Sequence, residues 1–240
     1  MKRNSIGKLR RGAPTGAGAG STGVTAAPTQ PEAASLACGQ GRKWDASAPS
    51  AYSIVVIGAS LGGTKAISSL LSALPGHFPL PLAIVLHRGV DSDATLRHLF
   101  QSHSTLPVLE AEDKMPVAAG HVYLAPANYH LLIGKTGFSL STEAPVASAR
   151  PAIDVLFESA SATYGSKTLG VLLTGASTDG ALGAAKIRER GGIVVVQDPA
   201  TAECPVMPQA AIGAAAASVI LPLDAISGVL DELSQRQHRG

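Results

Sequence analysis

From residue 52 onward the chain alternates short apolar runs with segments whose apolar residues recur at helical spacing. Residues 52–57 (YSIVVI), 82–87 (LAIVLH), 169–174 (LGVLLT) and 193–197 (IVVVQ) are continuous, β-branched-rich runs of the kind buried on both faces. Between them, residues 64–74 place Ile67, Leu70, Leu71 and Leu74 on one helical face. Further helices are predicted over 93–103, opened by an acidic cap at Asp91 or Asp93, and over 151–163, with Pro151 at the first position. The pattern continues with helices over 180–190, 206–216 and 224–235 and a strand over 218–221. Residues 107–111 and 121–125 read as two short strands. Residues 130–133 and 138–141 flank the turn GKTG and read as a hairpin.

Strands alternating with helices of this length imply βαβ units. The expected fold is α/β: a doubly wound, mostly parallel sheet flanked by helices, with the antiparallel hairpin at one edge. Ligands of such sheets bind beyond the carboxyl ends of the strands, which is where chemistry is to be sought.

Composition separates the first fifty residues from the rest. Segment 1–50 is rich in Gly, Ala, Pro, Ser and Thr, keeps no period, and cannot bury enough apolar surface to offset its ordering. It reads as a disordered basic tail, either a solvated linker or a docking or transit-type segment, with residues 51–240 forming the folded domain. The formal charge of +2 hides an asymmetry. Residues 1–50 carry seven Lys/Arg and two acids, which leaves 51–240 at −3 and without a nucleic-acid footprint. The two cysteines, Cys38 and Cys204, suggest neither a disulfide framework nor a metal spacing, which fits a cytoplasmic setting. No apolar run is long enough to span a membrane.

Three strand ends carry candidate chemistry. The first leads into Gly58-Ala59-Ser60-Leu61-Gly62-Gly63, a G-x-S-x-G turn between a strand and a helix. That context suits a serine nucleophile near a helix N-terminus. It also resembles a glycine-rich phosphate loop, although Ser60 stands where a dinucleotide fingerprint needs glycine. The second strand ends at His87, placed to exchange a proton with Ser60. The strand 169–174 leads through Gly175 and Ala176 to Asp179, ahead of a helix. Asp179 is read either as a helix N-cap or as the carboxylate that orients an imidazole. The order Ser, His, Asp is not that of ordinary α/β-hydrolases. Cys204, with no strand-end histidine left to activate it, reads as a bland small residue.

Over about residues 52–235 the chain resembles the catalytic domain of the chemotaxis protein-glutamate methylesterases, CheB. The segments that carry the likeness are VVIGASLGGTKAI, HVYLAPANYHLLI, RPAIDVLFESAS, LGVLLTGASTDGALG and GGIVVVQDPATAECPVMPQAAI, in matching order and spacing. The resemblance implies Ser60 as nucleophile, His87 as general base and Asp179 as its partner. Backbone N–H groups at Leu61 and Ala176 would serve the oxyanion. It also implies hydrolysis of glutamate γ-methyl esters on chemoreceptor cytoplasmic helices or a related sensory protein, with release of methanol. Glutamine deamidation by the same site is a further implied activity, and neither metal nor organic cofactor is required. Two departures stand out. Arg88-Gly89 follow His87 where the family has Met-Pro, which is expected to change the crevice rim, and residues 1–51 are not expected to form the phosphorelay receiver domain that family members commonly carry. The rival readings are a non-catalytic docking module of a sensory complex and a phosphate or nucleotide binder using Gly58–Thr64.

Overall fold

A computed structural model describes residues 52–88 and 93–235. The N-terminal tail, Gly89 and the proposed cap residue Asp91 fall outside the described residues, as does the side chain of the other proposed cap, Asp93. In chain order the elements are β1 (Ile54–Ala59), α1 (Gly63–Ala73), β2 (Leu82–Leu86), α2 (Asp93–Ser102), β3 (Val108–Glu110) and β4 (Val122–Leu124). Then follow β5 (His130–Gly134), β6 (Gly137–Ser141), α3 (Ile153–Tyr164), β7 (Thr168–Leu172) and α4 (Ala181–Glu189). The chain closes with β8 (Ile193–Gln197), α5 (Val206–Gly213), β9 (Val219–Leu221) and α6 (Leu223–Gln235).

Seven strands form one sheet in the order β3-β4-β2-β1-β7-β8-β9, and every pairing in it is parallel. Alternate residues of β1 enter opposite layers, because successive strand side chains point to opposite faces. Val55 and Ile57 pack with Ile67, Leu70 and Leu71 of α1, Phe100 of α2, and Ile226 and Leu230 of α6. Ile54 and Val56 pack with Leu156 and Phe157 of α3, Ala184 and Ile187 of α4, and Ala211 of α5. The continuous apolar runs are thus explained by burial on both sides.

The hairpin is antiparallel and hydrogen-bonds as a two-stranded sheet of its own, not as an edge of the large one. It lies in the α3 layer, where Leu131, Ile133 and Phe138 are buried. The free edge of β5 is satisfied by α3: Ile133 N–H donates to Ser159 Oγ at 3.1 Å, and Thr163 Oγ1 donates to the Ile133 carbonyl at 2.8 Å. An open strand edge is thereby closed by helix side chains.

Two predicted boundaries move for visible reasons. Helix α3 starts at Ile153 and not at Pro151, because Ala152 is extended and its N–H is taken by His130 Nδ1 at 3.2 Å. Helix α5 stops at Gly213, two residues before Ala215 takes a left-handed φ of 52°.

The chain leaves β1 for α1 on one face of the sheet, whereas it leaves the neighbouring β7 for α4 on the other. A crevice opens beyond the carboxyl ends of adjacent strands at such a switch point. Helices α3 and α4 meet beneath it through Gly183, where an added Cβ would lie 2.6 Å from Phe157 Cβ and 3.0 Å from Asp154 Cα.

Gly183→Ala pits two effects against each other. Intrinsic helix propensity favours alanine by about 1 kcal/mol, but overpacking against a helix backbone costs about 1–3 kcal/mol. The clash should win, giving a Tm lower by several degrees, ~2–6 °C, in thermal denaturation. An unchanged or raised Tm would show that α3 and α4 have room to spare.

Candidate active site

Ser60 follows the last residue of β1, and His87 follows the last residue of β2. The two strands are in register there, Ala59 opposite Leu86. His87 N–H donates to the Ala59 carbonyl at 3.0 Å, so the main chains remain paired right up to the two candidate residues. Three glycines around Ser60 do different things. Gly62 is the α1 N-cap with a left-handed φ of 78°. A Cβ on Gly63 would lie 2.6 Å from both Ala59 Cβ and Leu86 Cδ1. Gly58 lies within β1 and makes room for Ile153 at the start of α3. The glycines of the G-x-S-x-G-G run therefore combine one turn requirement, at Gly62, with close approaches at Gly58 and Gly63.

Asp179 is buried, and its carboxylate reaches His87: Oδ2 lies 2.7 Å from His87 Nε2. The same oxygen accepts from Ile153 N–H at 2.7 Å, and Oδ1 accepts from Asp154 N–H at 2.9 Å. Both readings of Asp179 thus converge in one group. It caps a helix, but the helix is α3, 25 residues earlier, and not the α4 that follows it. Helix α4 has Gly180 at its N-cap, with φ 95° and no cap from its own side chain. Its cap comes from Asp154, whose Oδ1 accepts from Gly180 N–H at 2.9 Å and Gly183 N–H at 2.7 Å. The two aspartates exchange helix ends.

With Nε2 committed to Asp179, Nδ1 is the His87 nitrogen left for Ser60. Among the described residues Ser60 Oγ has no hydrogen-bond partner. Such contacts are often loose until a substrate is seated.

A second frame holds the loop after β7. Ser60 N–H donates to the Thr174 carbonyl at 3.0 Å, and Thr174 Oγ1 donates to the Leu61 carbonyl at 2.9 Å. Buried Gln197 accepts from Thr174 N–H at 2.9 Å, and the Cys204 carbonyl accepts from Gly175 N–H at 3.1 Å. Cys204 contributes main-chain atoms here, in keeping with its reading as a bland residue. The N–H groups of Leu61 and Ala176 donate to no protein acceptor among the described residues, and both residues are exposed.

Arg88 does not form the rim that the sequence suggested. Its side chain is 4% exposed and turned across the strand ends, Nη2 donating to the Ala125 carbonyl at 2.7 Å and to Glu110 at 2.9 Å. It ties β2 to the ends of β3 and β4.

Comparison with known proteins settles the family. The family profile described as CheB methylesterase matches residues 55–230. The chain belongs to the CheB methylesterase family. A Leptospira interrogans protein, provisionally named a protein-glutamate methylesterase/protein-glutamine glutaminase, is 45% identical over 77% of this chain and 96% of its own length. The Myxococcus xanthus protein-glutamate methylesterase FrzG is 39% identical over 78% of this chain, which spans 56% of that longer protein. The crystal structure of the Thermotoga maritima CheB methylesterase catalytic domain superposes with a TM-score of 0.74 at 36% identity, covering 76% of this chain and 99% of that one.

In this CheB domain, sequence reasoning passed over Asp154, Thr174, Gln197 and His130. Only Asp154 left a usable signal, an acid in the first turn of a helix. His130 is buried between Ala152 N–H, which it accepts through Nδ1, and the Ala144 carbonyl, 3.1 Å from Nε2. Burial is the largest influence on the Asp154 carboxyl and pushes its pKa above the usual carboxylate range. The Gly183 and Gly180 N–H groups pull it down, while the neighbouring Asp179 carboxylate pushes it up.

A raised folded-state pKa means that the native protein holds this proton more tightly than the unfolded chain does. The resulting stabilisation is full below the ordinary carboxylate value of about 4 and is lost as pH rises through the raised one. Asp154→Asn removes the titration and keeps an oxygen acceptor. The Tm of D154N relative to wild type should therefore climb as the pH rises above about 4. A difference that stays flat or falls would mean that Asp154 gains nothing from its proton.

Proposed function

We propose that this chain hydrolyses γ-methyl esters of glutamate side chains on a methyl-accepting receptor, using Ser60, His87 and Asp179. The observation that carries the reading is the 2.7 Å bond from His87 to buried Asp179, next in register to Ser60. A phosphate loop needs no such histidine–carboxylate pair, whereas a serine nucleophile does.

Ser60 Oγ attacks the ester carbonyl carbon as His87 Nδ1 takes its proton. The carbonyl electron pair moves onto oxygen, where the N–H groups of Leu61 and Ala176 receive it. Collapse of this intermediate breaks the bond to the methoxy oxygen, which leaves as methanol with the proton from His87. Water then attacks the acyl-serine and gives a proton to His87. That proton passes to Ser60 Oγ as the glutamate carboxylate departs. Asp179 keeps the imidazole in the tautomer and orientation that this sequence needs and stabilises the imidazolium during each transfer. The paired activity in the relatives' names fits the same route, with ammonia leaving from a glutamine amide in place of methanol.

No helix among the described residues is long and apolar enough to cross a membrane. We place the reaction in the cytoplasm, on the cytoplasmic helices of the receptor.

Ser60→Ala and His87→Ala should each lower methanol release from a methylated receptor by about 10⁴-fold or more while leaving the far-ultraviolet circular dichroism unchanged. A fluorophosphonate probe should label wild type at Ser60 and leave S60A unlabelled. Wild-type turnover by S60A, or absence of labelling in wild type, would favour a docking module instead.

A further inference from the structure

We infer that Asp154 is a positioning residue for the reaction: by holding Gly180 and Gly183 at the start of α4, it fixes where Asp179 meets His87. The inference rests on the proposed role of Asp179 as the partner of the general base.

Asp179 is held at two points, and both lead to the first turn of α3. Its carboxylate accepts from the N–H groups of Ile153 and Asp154 at 2.7 and 2.9 Å. Its main chain continues directly into Gly180, whose N–H is bound by Asp154 Oδ1 at 2.9 Å. The remaining bond at this point is local, from Asp179 N–H to Ser177 Oγ at 3.1 Å. One short helical turn thus sets both the backbone and the carboxylate of Asp179.

That turn is itself referenced to the sheet. Ile153 fills the space that Gly58 of β1 and Gly180 leave open, and His130 accepts the N–H of Ala152. The strand that carries Ser60 and the loop that carries Asp179 are therefore registered through α3. Asp154 is the side chain that closes the connection.

Without its carboxyl group, two buried N–H groups lose their acceptor, at about 1–3 kcal/mol each if they find no other. The start of α4 would then shift to recover partners, taking Asp179 with it. Displacement of a catalytic group by about 1 Å costs up to ~100-fold in rate. Asp154 lies behind Asp179, bonded to the α4 main chain, so substrate affinity should be spared.

The test is full-chain Asp154→Ala and Asp154→Asn beside Ser60→Ala, assayed for methanol release from a methylated receptor. The proton shared by His87 and Asp179 is followed in parallel by its downfield NMR resonance. D154A should lose about 10- to 100-fold in kcat with KM within about twofold, and should lose or shift the downfield resonance. D154N keeps an oxygen for both N–H groups, so it should restore the resonance and bring kcat to within about threefold of wild type. If D154A does not fold, Asp154→Ser keeps one acceptor and should fall between the other two. The inference is overturned if D154A or D154S matches wild type in kcat and resonance, or if D154N is as impaired as D154A. Activity surviving in S60A would instead refute the serine mechanism, while the resonance would still report whether Asp154 holds the pair.

Discussion

A carboxylate withdrawn from water at the end of a sheet must be supplied with donors, and Asp179 receives two from the first turn of α3 and one from His87. Much of the surrounding architecture follows from bringing that helix end close enough. Side chains at Gly58 and Gly180 would meet Ile153, so neither position has one. His130 is buried to hold the residue before the helix, and Ser159 and Thr163 fasten the helix to the hairpin. The hairpin therefore has a role the sheet alone does not explain: it braces the helix that holds the Asp179 carboxylate.

Two carboxylates side by side are an unfavourable pair, and the Asp154 carboxyl, raised by burial and by Asp179, shows that cost. The offset comes from geometry. Helices α3 and α4 both begin beside the two acids, and the positive end of a helix dipole favours negative charge within its first turn. Each acid bonds the end of the helix that the other adjoins. Neither helix carries a side-chain cap at its own N-cap position, where Ala152 and Gly180 stand. Loss of either acid would leave the opposite helix end uncapped, so the two helix starts are stabilised together.

How much of this was legible in the sequence depends on the range of the interaction. Strands buried on both faces announce themselves as apolar runs, and all of the long ones lie within two or three residues of their predicted places. That His87 meets Asp179 in register with Ser60 was legible because strand ends of a parallel sheet converge, so a topological address stands in for a distance. The exchange of caps was not. It joins residues 25 or more apart, and nothing local distinguishes an aspartate that caps its own helix from one that caps another. Gly58, counted with the turn in the sequence, lies within β1 and answers to Ile153 on a distant helix. Arg88 was placed on the rim because Arg88-Gly89 stand where the resembled family has Met-Pro. Carbonyl and carboxylate acceptors at the ends of β4 and β3 draw it inward instead.

The side of the crevice away from α3 is built differently. There the main-chain N–H groups of Leu61 and Ala176 are without protein acceptors among the described residues, while those of Ser60 and Gly175 are spent on holding the two loops together. Thr174 makes that division: its carbonyl takes the Ser60 N–H and its hydroxyl takes hold of the Leu61 carbonyl. Leu61 and Val206 beside these loops are 55% and 41% exposed. Donors fixed by a rigid frame before any charge develops need little reorganisation when an oxyanion forms. The proposed triad is thus anchored from one side, by helix ends, while unspent main-chain donors lie on the other. That division lets the loops of Leu61 and Ala176 vary without disturbing the buried Asp179 and its bond to His87.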